Sequence, residues 1–177
     1  MKQPLLYLWE ITKIVIIALL IVAPIRYFLF QPFLVHGSSM EPNYHNGDYL
    51  IIDEISYRFR NPKRGEVVVF HYPKKPKLEY IKRIVGLPGE TVKVDDGKVV
   101  VTSEGGKEVL EEEYLPASSD TPGNTEISLD SDEYFVLGDN RTASSDSRRW
   151  GALEEKYIVG KVWFHLKPLS VLSKFKL

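Results

Sequence analysis

Cysteine is absent from all 177 positions of this chain. That excludes a thiol nucleophile, Cys-ligated zinc and disulfide bonds, and it fits any redox compartment without selecting one. Histidine is scarce. Its four copies, His36, His45, His71 and His165, form no HExxH-type pair, so a metal site is not expected. The formal net charge is only −1, which favours no nucleic-acid partner. Lys74, Lys75 and Lys77 cluster in a proline-punctuated loop and read as a solvated turn. Long apolar runs are equally few: there is one, near the N-terminus.

That run, LLYLWEITKIVIIALLIVAPIRYFLF from Leu5 to Phe30, is interrupted by Glu10, Lys13 and Arg26. Its uncharged part, Ile14 to Ile25, is 12 residues, about 18 Å of helix at 1.5 Å per residue. A bilayer core needs about 30 Å. Lys13 and Arg26 can snorkel toward opposite headgroup layers, and Tyr27 to Phe30 extend the apolar length. A single membrane-spanning helix is therefore expected, with residues 1–31 as cytoplasmic tip and anchor and the lipid bilayer as a partner. No small-x-small motif surrounds Ala23 and Pro24, so a cleavable leader is not expected. Lys2 and Lys13 precede the span while Arg26 follows it, which leans toward a cytoplasmic N-terminus and an extracytoplasmic body.

Beyond Phe33 the pattern changes to alternation of period two, broken by turn residues. Tyr49–Ile52, Glu66–Phe70, Tyr80–Val85, Glu133–Leu137 and Gly160–Leu166 read as strands. Asp95-Asp96-Gly97 separates ETVKV from KVVVT, a hairpin signal, and Glu104-Gly105-Gly106 turns the chain again. Pro116 to Glu126 reads as a polar loop. The expected fold is mainly β: a core of 32–89 and 133–177, and a hairpin-rich insert and loop at 90–132. A partly closed barrel or sandwich would protect its strand edges.

HGSSMEP, His36 to Pro42, follows the apolar run within a few residues. Ser38 and Ser39 are either a polar stalk or include a nucleophile. A serine hydroxyl needs a base, and no histidine arrangement offers one. Lys82, in EYIKRIVGLPGE, shares a strand face with Tyr80 and Ile84, while Ile81, Arg83 and Val85 share the other. Burial between such neighbours disfavours an ammonium and lowers its pKa. A lysine snorkelling from a sheet edge is the competing reading.

VHGSSMEP, YIKRIVGLPGE and GDNRTASSDSRRWG, in this order behind an apolar N-terminal segment, resemble the sequence boxes of bacterial type I signal peptidases. These are membrane-bound serine proteases with a Ser/Lys dyad that remove N-terminal signal peptides from exported preproteins. The resemblance runs from the anchor to Gly151, weakest over the insert. It implies a signal-peptidase-like β fold, Ser39 as nucleophile and Lys82 as general base, without metal or cofactor. It implies that Ser144 orients the lysine and that Asp146 and Arg148 form a supporting ion pair. Gly138, Asp139, Asn140 and Arg141 would shape the loop. Met40, Tyr80 and Ile81 would line the pocket for a small residue before the scissile bond, with Val35 as its apolar wall. The implied partners are secretory preproteins cut after Ala-x-Ala-type motifs.

Three positions depart from the family pattern. Gly37 stands where some members carry a serine that helps an oxyanion, and Asn43 and Tyr44 stand where threonine and leucine are usual. A membrane-tethered β binding module without activity is the reading from another class, and turnover separates the two.

Overall fold

The computed structural model describes residues 3–28 and 30–167, with side chains at 7–20 and from 31 onward. An α-helix, α1 (Gln3–Phe28), leads into strand β1 (Phe30–Leu34). The chain then forms β2 (Tyr49–Asp53), β3 (Val67–His71), β4 (Glu79–Gly86), β5 (Thr91–Asp95), β6 (Lys98–Ser103), β7 (Gly106–Val109), β8 (Thr125–Ser128) and β9 (Glu133–Leu137). A single helical turn, α2 (Ser147–Trp150), precedes β10 (Leu153–Glu154) and β11 (Ile158–Leu166). The protein is thus mainly β, as its alternation indicates.

Two antiparallel sheets organise the strands. Seven run in the order β1-β2-β11-β3-β4-β9-β10, and four in the order β7-β6-β5-β8. In β3 the two-residue period sends Val67 and Val69 into one buried cluster with Val35, Met40, Leu50, Ile52 and Ile81. Val68 and Phe70 enter another with Ile84, Tyr134, Val136 and Leu153. Both faces of this central strand are therefore covered. A third cluster joins the sheets, placing Val92, Val94, Val99 and Val101 of the smaller one against Val85, Phe135 and Leu137 of the larger.

Three strands differ from expectation. β1 contains Pro32, which alternation alone does not read as strand; it lies at a sheet edge, where a missing N–H breaks no ladder. β8 falls partly within the expected polar loop, also at an edge, and its burial alternates only between half-buried and exposed. β10 is too short to leave a period.

Along α1, Tyr7, Leu8, Trp9, Ile11, Ile14 to Ile17, Leu19 and Leu20 are all about half exposed or more, so apolar surface faces outward on every side. Among the described residues no helix is long and apolar enough to cross a membrane. The expected outer segments extend to residues 1–2, 29 and 168–177, which lie outside the described residues.

Candidate active site

The loop joining β1 to β2 is closed at its base. Val35 N donates to Asp48 O and Gly47 N to Val35 O, each at 2.9 Å. Gly37 adopts φ +87°, a left-handed conformation that favours glycine, and its N–H donates to Asn46 Oδ1 at 2.9 Å. Tight turns follow, with Glu41 N donating to Ser38 O at 3.2 Å and Tyr44 N to Met40 O at 2.9 Å. Val35 and Met40, each 1 % exposed, plug both ends of the VHGSSM segment into the core. Between these plugs the chain presents Ser39.

Lys82 arrives from the middle of β4. Its Nζ donates to Ser39 Oγ at 2.8 Å and to Ile81 O at 2.7 Å. It is 4 % exposed, and among the described residues no carboxylate forms an ion pair with it. Burial pushes its pKa down to about 8, against the pull of Asp146 and then Asp139, whose charges favour the ammonium. A tenth or so of the amine is thus neutral at pH 7, and the neutral amine is within reach of the hydroxyl proton. Ser38, by contrast, is exposed and contributes only its carbonyl.

The loop after β9 buttresses this pair. Asn140 donates from its backbone N to Ser39 O at 3.0 Å and from Nδ2 to Ser38 O at 3.1 Å. Gly138 lies so close that a Cβ there would collide with both Ser39 O and Ser144 Oγ. Ser144 Oγ is buried and makes no hydrogen bond to Lys82, whose Nζ donates to Ser39 Oγ and Ile81 O. Ser144 still lies near enough to Asp146 to help keep its carboxyl ionised.

Asp146 and Arg148 do not sit on an extended segment. Asp146 caps α2, and Arg148 lies in its first turn. The guanidinium forks the carboxylate, with Nε and one terminal nitrogen each at 2.8 Å, while Gly138 N donates to Asp146 Oδ2 at 3.1 Å. Burial alone would raise the Asp146 pKa; the Arg148 fork outweighs it and holds the carboxyl below its usual range. Arg148 also donates to Pro122 O and Arg141 O, tying the insert's loop to this one.

A cleft of about 830 Å³ opens beside the pair, lined by Phe33, Leu34, Gly37, Tyr80, Ile81 and Ala143 among others, with Ser39 and Lys82 in its wall. Val35 and Met40 do not line it; they lie in the core. Tyr44 faces away too, packing on the His165 ring at 4.9 Å.

Sequence reasoning missed a second charged group next to the site. Arg83 donates from Nε and a terminal nitrogen to Asp139 at 2.8 and 2.6 Å, and its guanidinium carbon lies 4.0 Å from the centre of the Tyr114 ring. Arg141 forks Glu112 of the insert. One signal was present: two adjacent cations inside the apolar strand EYIKRIVG must face opposite buried sides, so each requires its own partner.

The geometry has counterparts in known proteins. The family model "Signal peptidase, peptidase S26" matches residues 8–166. The chain belongs to the type I signal peptidases of that family. It is 37% identical over 168 residues to the probable signal peptidase I-2 of Synechocystis, covering 90% of this chain and 73% of that one. Signal peptidase I T of Bacillus subtilis is 36% identical over 174 residues, 93% of this chain and 88% of that one. A crystal structure of a signal peptidase I from Enterococcus faecalis superposes with a TM-score of 0.50 at 26% identity, covering 59% of this chain and 98% of that one. In this type I signal peptidase the three sequence boxes meet at one place: the serine loop, the middle of β4 and the loop after β9.

Proposed function

We propose that the protein is a membrane-anchored serine endopeptidase that removes N-terminal signal peptides from exported preproteins, with Ser39 as nucleophile and Lys82 as general base. One observation carries this: a buried amine with no ion-pair partner among the described residues, 2.8 Å from a serine hydroxyl at the edge of a cleft. Neutral Lys82 takes the Ser39 proton as the oxygen attacks the scissile carbonyl. The backbone N–H of Ser39, which donates to no protein acceptor among the described residues, stabilises the developing oxyanion. The N–H of Gly37 is already committed to Asn46, and a serine at that backbone angle would be strained, so this enzyme relies on less help there. Protonated Lys82 then hands its proton to the leaving amine, and water releases the acyl group by the reverse roles. Asp146, Arg148 and Ser144 support the geometry.

The cleft beside Tyr80 and Ile81 would receive the residues before the scissile bond, small ones of the Ala-x-Ala type as in the family the chain belongs to. The exposed apolar residues along α1, interrupted by the exposed Glu10 and Lys13, support contact of this helix with lipid. Its anchoring as a single pass, with residues 1–31 as tip and span, would hold the body on the outer face of the cell membrane. The proposed division is a core of 32–89 and 133–177 with an insert of 90–132, a reading supported by the smaller sheet, whose strands run from Thr91 to Ser128.

The test is cleavage of a preprotein with Ala at −3 and −1, in detergent, by wild type, Ser39→Ala and Lys82→Ala. Silence of both variants beside an active wild type supports the dyad; activity of either variant rejects it. The rate should also fall tenfold per pH unit below about 8. A profile flat to pH 5 would remove Lys82 from the role.

A further inference from the structure

Asn43 lies in the turn that closes the serine segment, where its own N–H donates to Met40 O at 3.1 Å. Both protons of its side-chain amide are used. Nδ2 donates to Asp139 Oδ2 at 2.8 Å and to the Tyr114 carbonyl at 2.9 Å. Tyr114 belongs to the insert, 71 residues away, and Asp139 to the loop after β9, 96 residues away. One amide thus joins three parts of the chain.

The surroundings make this junction stiff. Asp139, 3 % exposed, is forked by Arg83, which also donates to Gly65 O at 2.8 Å and lies over the Tyr114 ring. Two residues back, Glu112 is forked by Arg141, which also donates to Gly138 O at 3.1 Å and to Thr121. The insert therefore grips the serine segment through Asn43 and the following loop through Arg141. Those two segments meet at Ser39, through the bonds from Asn140 to the Ser38 and Ser39 carbonyls.

We propose that Asn43 is a positioning residue: through it the insert fixes Ser39 relative to Lys82, so that the 112–114 segment sets the turnover rate without touching substrate. Asn43 is not among the residues lining the cleft that holds Ser39 and Lys82, so it is placed to act through the segment rather than on substrate. This rests on the assignment of Ser39 and Lys82 above. Because a misplacement near 1 Å can cost far more than one hydrogen bond, the effect is read in kcat.

The experiment compares full-length wild type with Asn43→Thr and Asn43→Val, two side chains of one shape that differ in a single donor. Cleavage of a preprotein in detergent is measured together with thermal midpoints. Ser39→Ala is run alongside, as is Glu108→Ala on the exposed strand β7 of the same insert. The expected kcat order is wild type, then Thr, then Val about tenfold below wild type, with KM unchanged within about twofold and the Thr and Val midpoints alike. Glu108→Ala should match wild type. Equal kcat for Thr and Val, or a change confined to KM, overturns the proposal. Activity in Ser39→Ala would instead overturn the nucleophile assignment on which it stands.

Discussion

Two kinds of buried cation lie within one strand and loop of this protein, and they are treated differently. Arg83, Arg141 and Arg148 each meet a carboxylate with a two-pronged fork. Lys82, next to Arg83 in sequence and just as buried, meets a hydroxyl and a carbonyl. The nearest carboxylates, Asp139 and Asp146, are already taken by arginines. A guanidinium cannot be deprotonated in a protein, so it serves to fix geometry, whereas an ammonium deprived of a counter-ion can give up its charge. The arginines hold the loops, and by occupying the acids they leave Lys82 without a counter-ion, which the proposed role of base requires.

The sharpest way to break that contrast is to exchange the two kinds of cation. Lys82→Arg keeps the charge and removes the base; we expect cleavage to fall about 10³-fold, as for Lys82→Ala, measured by preprotein turnover. A Lys82→Arg enzyme with near-normal activity would show that charge alone suffices. Next in size is Asp146→Asn, which leaves the part-buried Arg148 guanidinium without the carboxylate it forks. Unfolding in urea should show a loss of about 3 kcal/mol. Because Asp146 favours the ammonium form of Lys82, the acid limb of the rate profile should also move to lower pH. A limb that moves upward would contradict the charge-sharing picture.

The third expectation concerns folding alone. Lys82 falls from its ordinary 10.5 to about 8 on folding, so between those values the unfolded chain holds a proton that the folded one lacks. Stability must then rise with pH across that window, by at most about 3 kcal/mol. Below pH 8 both states are protonated and the full cost is present. Lys82→Met should therefore be more stable than wild type at pH 7 and lack this rise, which denaturant titrations at pH 7 and 10 can read. Parallel pH dependences in the two proteins would mean that burial does not depress the lysine.

Much of this was legible in the sequence. Alternation marks β2 and β6, whose faces differ in burial, short apolar runs mark β3, β4 and β9, which are buried on both faces, and Asp96-Gly97 marks the hairpin between β5 and β6. What was illegible lacked such a difference: β1 and β8 are edges, and β10 has two residues. At the site, Ser39 and Lys82 stand out by motif although they are 43 residues apart. The forks from Arg83 and Arg141 do not, since a charge pattern carries no record of which acid a cation reaches across 56 or 29 residues. Val35 and Met40 are assigned to the cleft by the family resemblance alone, and burial in the core, which roots the segment that presents Ser39, carries no separate mark in the sequence.

Gly37 and Gly138 flank the serine from two loops, and they are glycine for opposite reasons. Gly37 has open space where a Cβ would go but turns the chain at φ +87°, whereas Gly138 needs no such angle and has no space. The first requirement concerns handedness, the second volume. A D-alanine introduced by chemical synthesis would suit the backbone at 37, because mirror-image residues favour that angle. No such exchange of hand removes the crowding that defines 138. The serine is thus set between a hinge that chirality shapes and a contact surface with no clearance.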